Sequence, residues 1–126
     1  MKPLFISIAL VAVYLFGATY LYSEIEETSN ILSKDLVEIQ TLVKEEDWEE
    51  SQKIYDSFKR KWKPTSTLWM TYVGHDEIDN IEEAIREADA YFEVQDVGGA
   101  LENLSKLSYY LKHIYEKERI SWYNIL

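Results

Sequence analysis

The side chains of this sequence that could do chemistry near neutral pH are two histidines and the carboxylates spaced one helical turn from them. His75 and Asp79 are four residues apart, so on a helix they share one face, as two metal ligands would. Imidazole also changes its charge close to pH 7, which is the property that a pH sensor needs. Together with Glu118, these two residues are the candidates for an ion-sensing or pH-sensing site.

Helical geometry decides which of these groups can meet. At ~100° per residue, Glu118 lies ~20° from Leu111, taken as the centre of the apolar face of its segment, whereas His113 lies ~160° away and should point to solvent. The same arithmetic around Ile85 puts His75 ~80° from the centre, at the edge of the core. These angles favour a structural His75–Glu118 contact, with solvent exposure of both groups and an ion site as the alternatives.

The composition excludes several classes of site and of function. The 126 residues include no Cys, so a disulfide framework, a thiolate metal site and a cysteine nucleophile are ruled out. The formal net charge of −10 makes nucleic acid an unfavourable partner. Phosphate-binding glycine loops, the HExxH zinc motif and the nucleophile elbow do not occur. We therefore expect no enzyme activity, no cofactor and no metal site.

Residues 3–22 form an uncharged stretch, PLFISIALVAVYLFGATYLY. As a helix rising ~1.5 Å per residue, it would span the ~30 Å hydrocarbon core of a bilayer. It is longer than the apolar core of a cleaved signal peptide, so an uncleaved signal anchor is predicted, with a buried core helix as the alternative. Because positive charge stays in the cytoplasm, Lys2 should lie inside the cell membrane and the acidic domain, residues 23–126, outside it, with residues 1–22 as the anchor.

Beyond the anchor, apolar residues recur at alternating spacings of three and four, which predicts one buried face on each of several helices. No Pro or Gly separates the anchor from the first of these faces, so the two are expected to form one helix. The predicted fold is all-α: a single transmembrane helix followed by a small antiparallel bundle of about four helices in two hairpins. The four apolar runs are Ile25, Leu32, Leu36, Ile39 and Val43; Trp48, Ser51, Tyr55, Phe58 and Trp62; Ile78, Ile81, Ile85, Ala88 and Phe92; and Val97, Ala100, Leu104, Leu107, Leu111 and Ile114.

Capping and turn residues give the expected helix boundaries. Asp47, followed three residues later by Glu50, is typical of a capping box and should begin the second helix. Pro64 is expected to end that helix, and Gly74 to kink or interrupt the third helix near its start. Asp96 is a candidate cap for the fourth helix.

The two predicted hairpins resemble each other at the offset that superposes Asp47 on Asp96. Amphipathic hairpins match one another by construction, so the similarity needs no true repeat. Gly98 and Gly99 follow Asp96 and could form an anion-binding nest, but the surrounding acids make this unfavourable. Close approach of another helix, or turn flexibility, is the better explanation of the two glycines.

The last seven residues, 120–126, are mostly apolar or aromatic in a densely charged chain, so they must pack on something. Packing of Trp122 against Trp62 or Trp69 is the preferred prediction, because burying one such side chain is worth ~1.5–3 kcal/mol. Docking on a partner or on lipid headgroups is the alternative. The residues predicted to be structural or to meet a partner are Trp48, Trp62, His75, Glu118, Trp122, Asn124, Ile125 and Leu126.

A basic run, residues 59–63, interrupts the acidic sequence. It could touch anionic lipid headgroups or an acidic partner. A solvated helix end is the preferred interpretation, because the helix dipole favours cations there.

Five short motifs together resemble one uncharacterised family. They are Asp47-Trp48, Lys61-Trp62-Lys63, the His-Asp-Glu-Ile-Asp segment at 75–79, Glu118-Arg119-Ile120-Ser121, and Asn124-Ile125-Leu126. The chain resembles small membrane-anchored proteins of spore-forming Gram-positive bacteria, known only as a domain of unknown function. This resemblance implies a location at a bacterial cell membrane and supplies no activity.

The resulting functional prediction is a structural or protein-interaction module. Residues 3–22 would hold the acidic bundle at the lipid bilayer, where it docks on an envelope partner such as another membrane protein. A second copy of this chain is an alternative partner, because the first amphipathic helix could also dimerise. The alternative function is the ion-sensing or pH-sensing module described above.

Overall fold

The structure, a computed structural model, describes residues 1–71 and 73–125; for residues 121–123 and 125 it describes the helical backbone but not the side chains. The described residues form four helices, α1 (Lys2–Lys44), α2 (Trp48–Trp69), α3 (His75–Glu93) and α4 (Val97–Ile125). No strand occurs among them. The predicted all-α fold is confirmed.

Helix α1 is a single element of 43 residues with two different surfaces. At ~1.5 Å per residue it is ~65 Å long. Residues 1–17 are exposed throughout, whereas the second half of the helix buries one stripe against the other helices. The expected continuation of the apolar stretch into the first amphipathic helix is therefore confirmed. The buried residues of this stripe are Ile25, Ser29, Leu32, Leu36, Ile39 and Val43.

The first hairpin turn follows from a left-handed residue at the end of α1. Glu46 has φ 56°, and its N–H donates to the Val43 carbonyl at 3.0 Å. The N–H of Asp47 donates to the Leu42 carbonyl at 3.0 Å, which completes the hydrogen-bond pair of a Schellman motif. Asp47 then begins α2, because its side chain accepts a hydrogen bond from the Glu50 N–H at 3.2 Å. The predicted cap is confirmed.

The second hairpin turn repeats this geometry. Gln95 has φ 54° and donates to the Phe92 carbonyl at 3.2 Å, while Asp96 donates to the Tyr91 carbonyl at 3.0 Å. The Asp96 carboxylate accepts from the Gly99 N–H at 3.1 Å, as predicted for the start of α4. All five positions are those that the Asp47–Asp96 superposition pairs with the first turn. The sequence similarity between the hairpins thus corresponds to the same backbone hydrogen bonds and the same aspartate cap at both turns.

The four helices run alternately up and down. Helix α1 packs closely on α2 and α4, and α3 packs closely on α4. Helices α2 and α3 lie further apart and are bridged by large side chains. The Tyr55 hydroxyl donates to the Ile85 carbonyl at 3.0 Å, and the Tyr55 ring stacks on Phe92 with centroids 4.4 Å apart.

The core is formed by the predicted apolar runs. Every residue of those runs is buried except Trp48 and Val97, which are half-buried at the first positions of α2 and α4. The Trp48 ring meets Phe92 edge-on, with centroids 5.6 Å apart. Periodicity alone therefore identified the buried face of each helix.

Two predicted boundaries were wrong. Helix α2 continues through Pro64 to Trp69, and Gly74 caps α3 in an extended conformation (φ −61°, ψ 139°) instead of kinking it. A proline inside a helix costs ~3 kcal/mol. Burial of the Trp69 ring offsets part of this cost. The residue after the proline also fits the helix, since the Thr65 hydroxyl donates a hydrogen bond to the Lys61 carbonyl at 2.8 Å.

Candidate functional site

The two ends of the bundle differ in composition and surroundings. The distal end contains the two hairpin turns, and the proximal end contains the described residues of the α2–α3 connection, 70, 71, 73 and 74, on the side of the apolar part of α1. At the proximal end Tyr22 of α1 stacks on Tyr115 of α4, with ring centroids 6.3 Å apart. The candidate site residues lie toward this end: His75 and Asp79 in the first two turns of α3, and His113 and Glu118 in the second half of α4.

Glu77 is the centre of the charge cluster at the proximal end. Its side chain is 14% exposed, and Oε1 accepts a hydrogen bond from the Lys117 ammonium at 2.8 Å. His113 Nε2 lies 3.9 Å from the same oxygen, close enough for an ion pair when the ring is protonated. The second oxygen, Oε2, is buried with no hydrogen-bond partner among the described residues. Glu77 thus joins α3 to α4 through one carboxylate oxygen.

The predicted His75–Glu118 contact is not formed. His75 and Asp79 are exposed, and no hydrogen bond or ion pair between described residues joins His75 to Glu118. The error lies in taking Ile85 as the centre of the buried face of α3. The buried residues of that helix average to a direction ~30° from Ile85, which puts Glu77 ~50° and His75 ~110° from the true centre. If the centre of the buried face had been taken as the average direction of the whole apolar run, the sequence would have placed Glu77 closer to that face than His75.

Glu118 is half-buried, as its angle on α4 predicts, and His113 is exposed, also as predicted. Burial raises the pKa of the Glu118 carboxyl above its ordinary value, and the nearby Glu77 charge raises it further, while Lys117 opposes both effects. The hydrogen bond and the charge of Glu77 raise the pKa of the Lys117 ammonium. These shifts describe an acidic cluster that is partly compensated by one lysine.

The tryptophans have structural surroundings where the structure describes them. Trp62 is buried, and its indole N–H donates to Glu82 Oε1 at 3.0 Å. Its ring meets Trp69 edge-on, with centroids 5.8 Å apart. Asn124 is exposed. The expected packing of Trp122 on this pair, the side chain of Ile125 and the whole of Leu126 lie outside the described residues.

The basic run at 59–63 is not a helix end, and two of its lysines are paired with acids on other helices. Helix α2 continues past it to Trp69. Lys61 donates to Asp35 of α1 at 2.8 Å, and Lys59 donates to Asp89 of α3 at 2.9 Å. Sequence reasoning missed both pairs, because the identity of the neighbouring helix is decided only by the tertiary fold.

The chemistry available to these groups is electrostatic. Among the described residues, no group of three or more His, Asp or Glu side chains is arranged to hold a metal ion. Within the proximal cluster Glu77 is held by Lys117, and Glu118 is half-buried. The pair between the exposed Lys117 ammonium and the largely buried Glu77 carboxylate fixes the position of α3 relative to α4.

Helix α1 is long and apolar enough to cross a membrane, judged by length and composition, and its apolar window is not buried by the other helices. A signal sequence near the N-terminus would pass the same test.

Comparison with curated proteins found no match, and neither did comparison with solved structures. The sequence model of one family matches residues 19–125, which cover the last turns of the apolar segment and all of the bundle. The chain therefore belongs to the family described as a domain of unknown function (DUF4363).

Proposed function

We propose that this protein is a single-pass membrane protein that holds an acidic helical bundle outside the cell membrane, where the bundle docks on another envelope protein. Residues 3–22 are the uncleaved anchor, and residues 23–126 are the extracytoplasmic domain. The host is a spore-forming Gram-positive bacterium, as the motif resemblance implies. The bundle acts by binding and not by catalysis.

The observation that carries this proposal is the dual surface of α1. Residues 3–17 of this helix expose apolar side chains on every side, including Phe5 at 67% and Phe16 at 83%. A continuous apolar surface of this kind is unfavourable in water and matches a bilayer. The same helix then supplies six buried residues to the bundle. An anchor that continues without a break into the core fixes the height and tilt of the bundle above the membrane.

The charges flanking the apolar segment support the orientation. Lys2 precedes it, and Glu24, Glu26 and Glu27 follow it. Because lysine is retained on the cytoplasmic side, the bundle is assigned to the outside.

An exposed aromatic pair on α4 supports a protein partner. Tyr109 is 64% exposed and stacks on His113, with ring centroids 6.1 Å apart. Tyrosine is enriched in protein–protein interfaces, because it combines a large contact area with a hydrogen-bonding group. The ion-sensing alternative has less support, since His75 and Asp79 are exposed and form no described ion pair.

The anchor is tested with two matched valine substitutions in the same helix. Val11 and Val37 are exposed to a similar degree, 57% and 60%, but only Val11 lies in the apolar segment. Arginine near the centre of a membrane helix costs ~3 kcal/mol more than valine. Val11→Arg should therefore move the full chain from the membrane fraction to the soluble fraction, whereas Val37→Arg should not. Equal membrane retention of the two variants would refute the anchor.

The partner is tested by photo-crosslinking in living cells. A crosslinking amino acid at Tyr109 should give a discrete heavier product containing a second protein. The same residue at Glu49, whose side chain is 88% exposed on the opposite hairpin, is the control. Monomer alone at both positions would contradict the binding function at this surface.

A further inference from the structure

We propose that the end of α4, residues 120–125, enters the outer lipid leaflet beside the anchor, so that the chain meets the bilayer through two helices. This inference depends on the proposed membrane anchoring of α1. It concerns the end of α4, whose contact with lipid does not follow from the anchoring of α1 alone.

The relative heights of the helices lead to this inference. The Lys61–Asp35 pair sets the register of α2 against α1. Helix α2 continues from Lys61 to Trp69, ~12 Å further, and so ends near the level of Glu27. The Glu77–Lys117 pair likewise puts the first turn of α3 near the level of Tyr115, so the connection between α2 and α3 lies close to the level of Tyr22, the last residue of the apolar segment.

Helix α4 extends beyond this connection. The Tyr22–Tyr115 stack places Tyr115 at the top of the apolar segment. From there α4 continues to Ile125, which at ~1.5 Å per residue is a further ~15 Å toward the start of α1. The last turns of α4 thus lie at the level of the outer half of the apolar segment, where α2 and α3 are absent.

The sequence of α4 changes at this level. Arg119 is the last charged residue, and residues 120–126 are Ile-Ser-Trp-Tyr-Asn-Ile-Leu. Ile120 is 60% exposed. The Arg119 side chain is long enough to keep its guanidinium at the headgroups while its backbone lies below them. Trp and Tyr favour the membrane interface, and a helical backbone satisfies its own hydrogen bonds in lipid.

An open apolar depression of about 550 Å³ lies on α1 at the same height. It would be filled by acyl chains if this part of the molecule is in lipid, whereas water in it would contact mainly apolar atoms. Its lining residues are Ala12, Leu15, Phe16, Thr19, Tyr20 and Ser23.

Lipid is a better occupant of this surface than a second copy of the chain. The net charge of −10 makes two bundles repel each other when they stand side by side at one height. The acyl chains that residues 120–125 would contact carry no charge, so this contact adds no repulsion of its own, and it extends the apolar belt that α1 already presents.

The test measures membrane depth with nitroxide labels on the full chain in vesicles of phosphatidylcholine and phosphatidylglycerol. Because the chain has no native Cys, single labelled cysteines can be introduced at exposed positions. Asn124→Cys tests the proposal, Thr19→Cys reports the anchor, and Lys112→Cys, 74% exposed on the same helix, reports the aqueous part of α4. Collisions with oxygen, which concentrates in lipid, are compared with collisions with a water-soluble nickel chelate.

We expect the oxygen-to-nickel accessibility ratio to be severalfold higher at positions 124 and 19 than at position 112. A lipid-like ratio at 19 with a water-like ratio at 124 would overturn the inference and leave the anchor intact. A water-like ratio at 19 would remove the anchor and this inference together. Protection of the label at position 124 from both oxygen and the nickel chelate would also overturn the inference. Spin–spin broadening of that label would then indicate a second copy of the chain, and the absence of broadening would indicate packing within one chain.

Discussion

The two adjacent glycines at the start of α4 allow one steric contact to be measured by itself. A Cβ built on Gly99 would lie 2.7 Å from Cγ of the Tyr91 ring, and closer still to Cδ1 and Cε1. A Cβ on Gly98 would meet nothing nearer than Asp96 Oδ1 at 3.7 Å. The Tyr91 ring of α3 is thus the neighbour that a side chain at position 99 would meet. Gly99→Ala and Gly98→Ala make the same chemical change with opposite expected effects.

The magnitudes follow from two terms. Alanine is favoured over glycine inside a helix by up to ~1 kcal/mol, and this gain applies to both positions. Only Gly99→Ala forces the half-buried Tyr91 ring to move, and overpacking of this kind costs ~1–3 kcal/mol. Since the propensity gain cancels in the comparison, the difference in unfolding free energy between the two variants is the steric cost, ~1–3 kcal/mol. Gly98→Ala should be at least as stable as the natural chain.

The assay is thermal unfolding of the full chain in detergent micelles, followed by circular dichroism at 222 nm. For a domain of this size ~1 kcal/mol corresponds to ~4 °C in Tm, so Gly99→Ala should melt ~4–12 °C below Gly98→Ala. When Gly98→Ala and Gly99→Ala are each combined with Tyr91→Ala, the difference in Tm between them should disappear, because the ring that causes the steric cost is gone. Equal Tm values for the two glycine variants, or a more stable Gly99→Ala, would refute the close approach of α3 to α4 at this turn.

Three further predictions concern the turns and the proximal cluster. Asp47→Ala and Asp96→Ala should each lower the unfolding free energy by ~1 kcal/mol, because each removes a cap; urea denaturation that showed a loss in only one would contradict the equivalence of the two turns. Gln95→Gly should raise the unfolding free energy by up to ~1 kcal/mol, since glycine accepts positive φ without strain; a loss of stability in the same assay would contradict the left-handed conformation. Glu118→Gln should flatten the pH dependence of stability. The folded pKa of this carboxyl is raised above its unfolded value, so its contribution is complete below the unfolded pKa and is lost as pH rises through the folded pKa. The variant should therefore exceed the natural chain in Tm at pH 7 and lose that advantage at pH 4, and an unchanged difference across this range would refute the assignment.

Much of the fold could be predicted from sequence because helix periodicity and capping are local. The apolar runs identified the buried residues, since a spacing of three and four can bury only one face of a helix. Asp47 and Asp96 began α2 and α4 as predicted, because a cap needs only a side chain and the N–H three residues later.

Local rules failed where tertiary packing opposed them. Pro64 should end a helix on propensity alone, yet α2 continues past it to Trp69, whose ring is fully buried in the core and offsets part of the cost of the proline. Propensity describes an isolated segment, so it cannot include what the end of that segment will pack against.

Contacts between helices were decided by the tertiary structure alone. The sequence contained every partner of the proximal cluster, but it paired His75 with Glu118 where the fold pairs Glu77 with Lys117. The same holds for Lys61 and Asp35, whose meeting depends on the height of α2 beside α1. Periodicity fixes which face of a helix is buried, whereas the register and neighbour of that face depend on how all four helices pack at once.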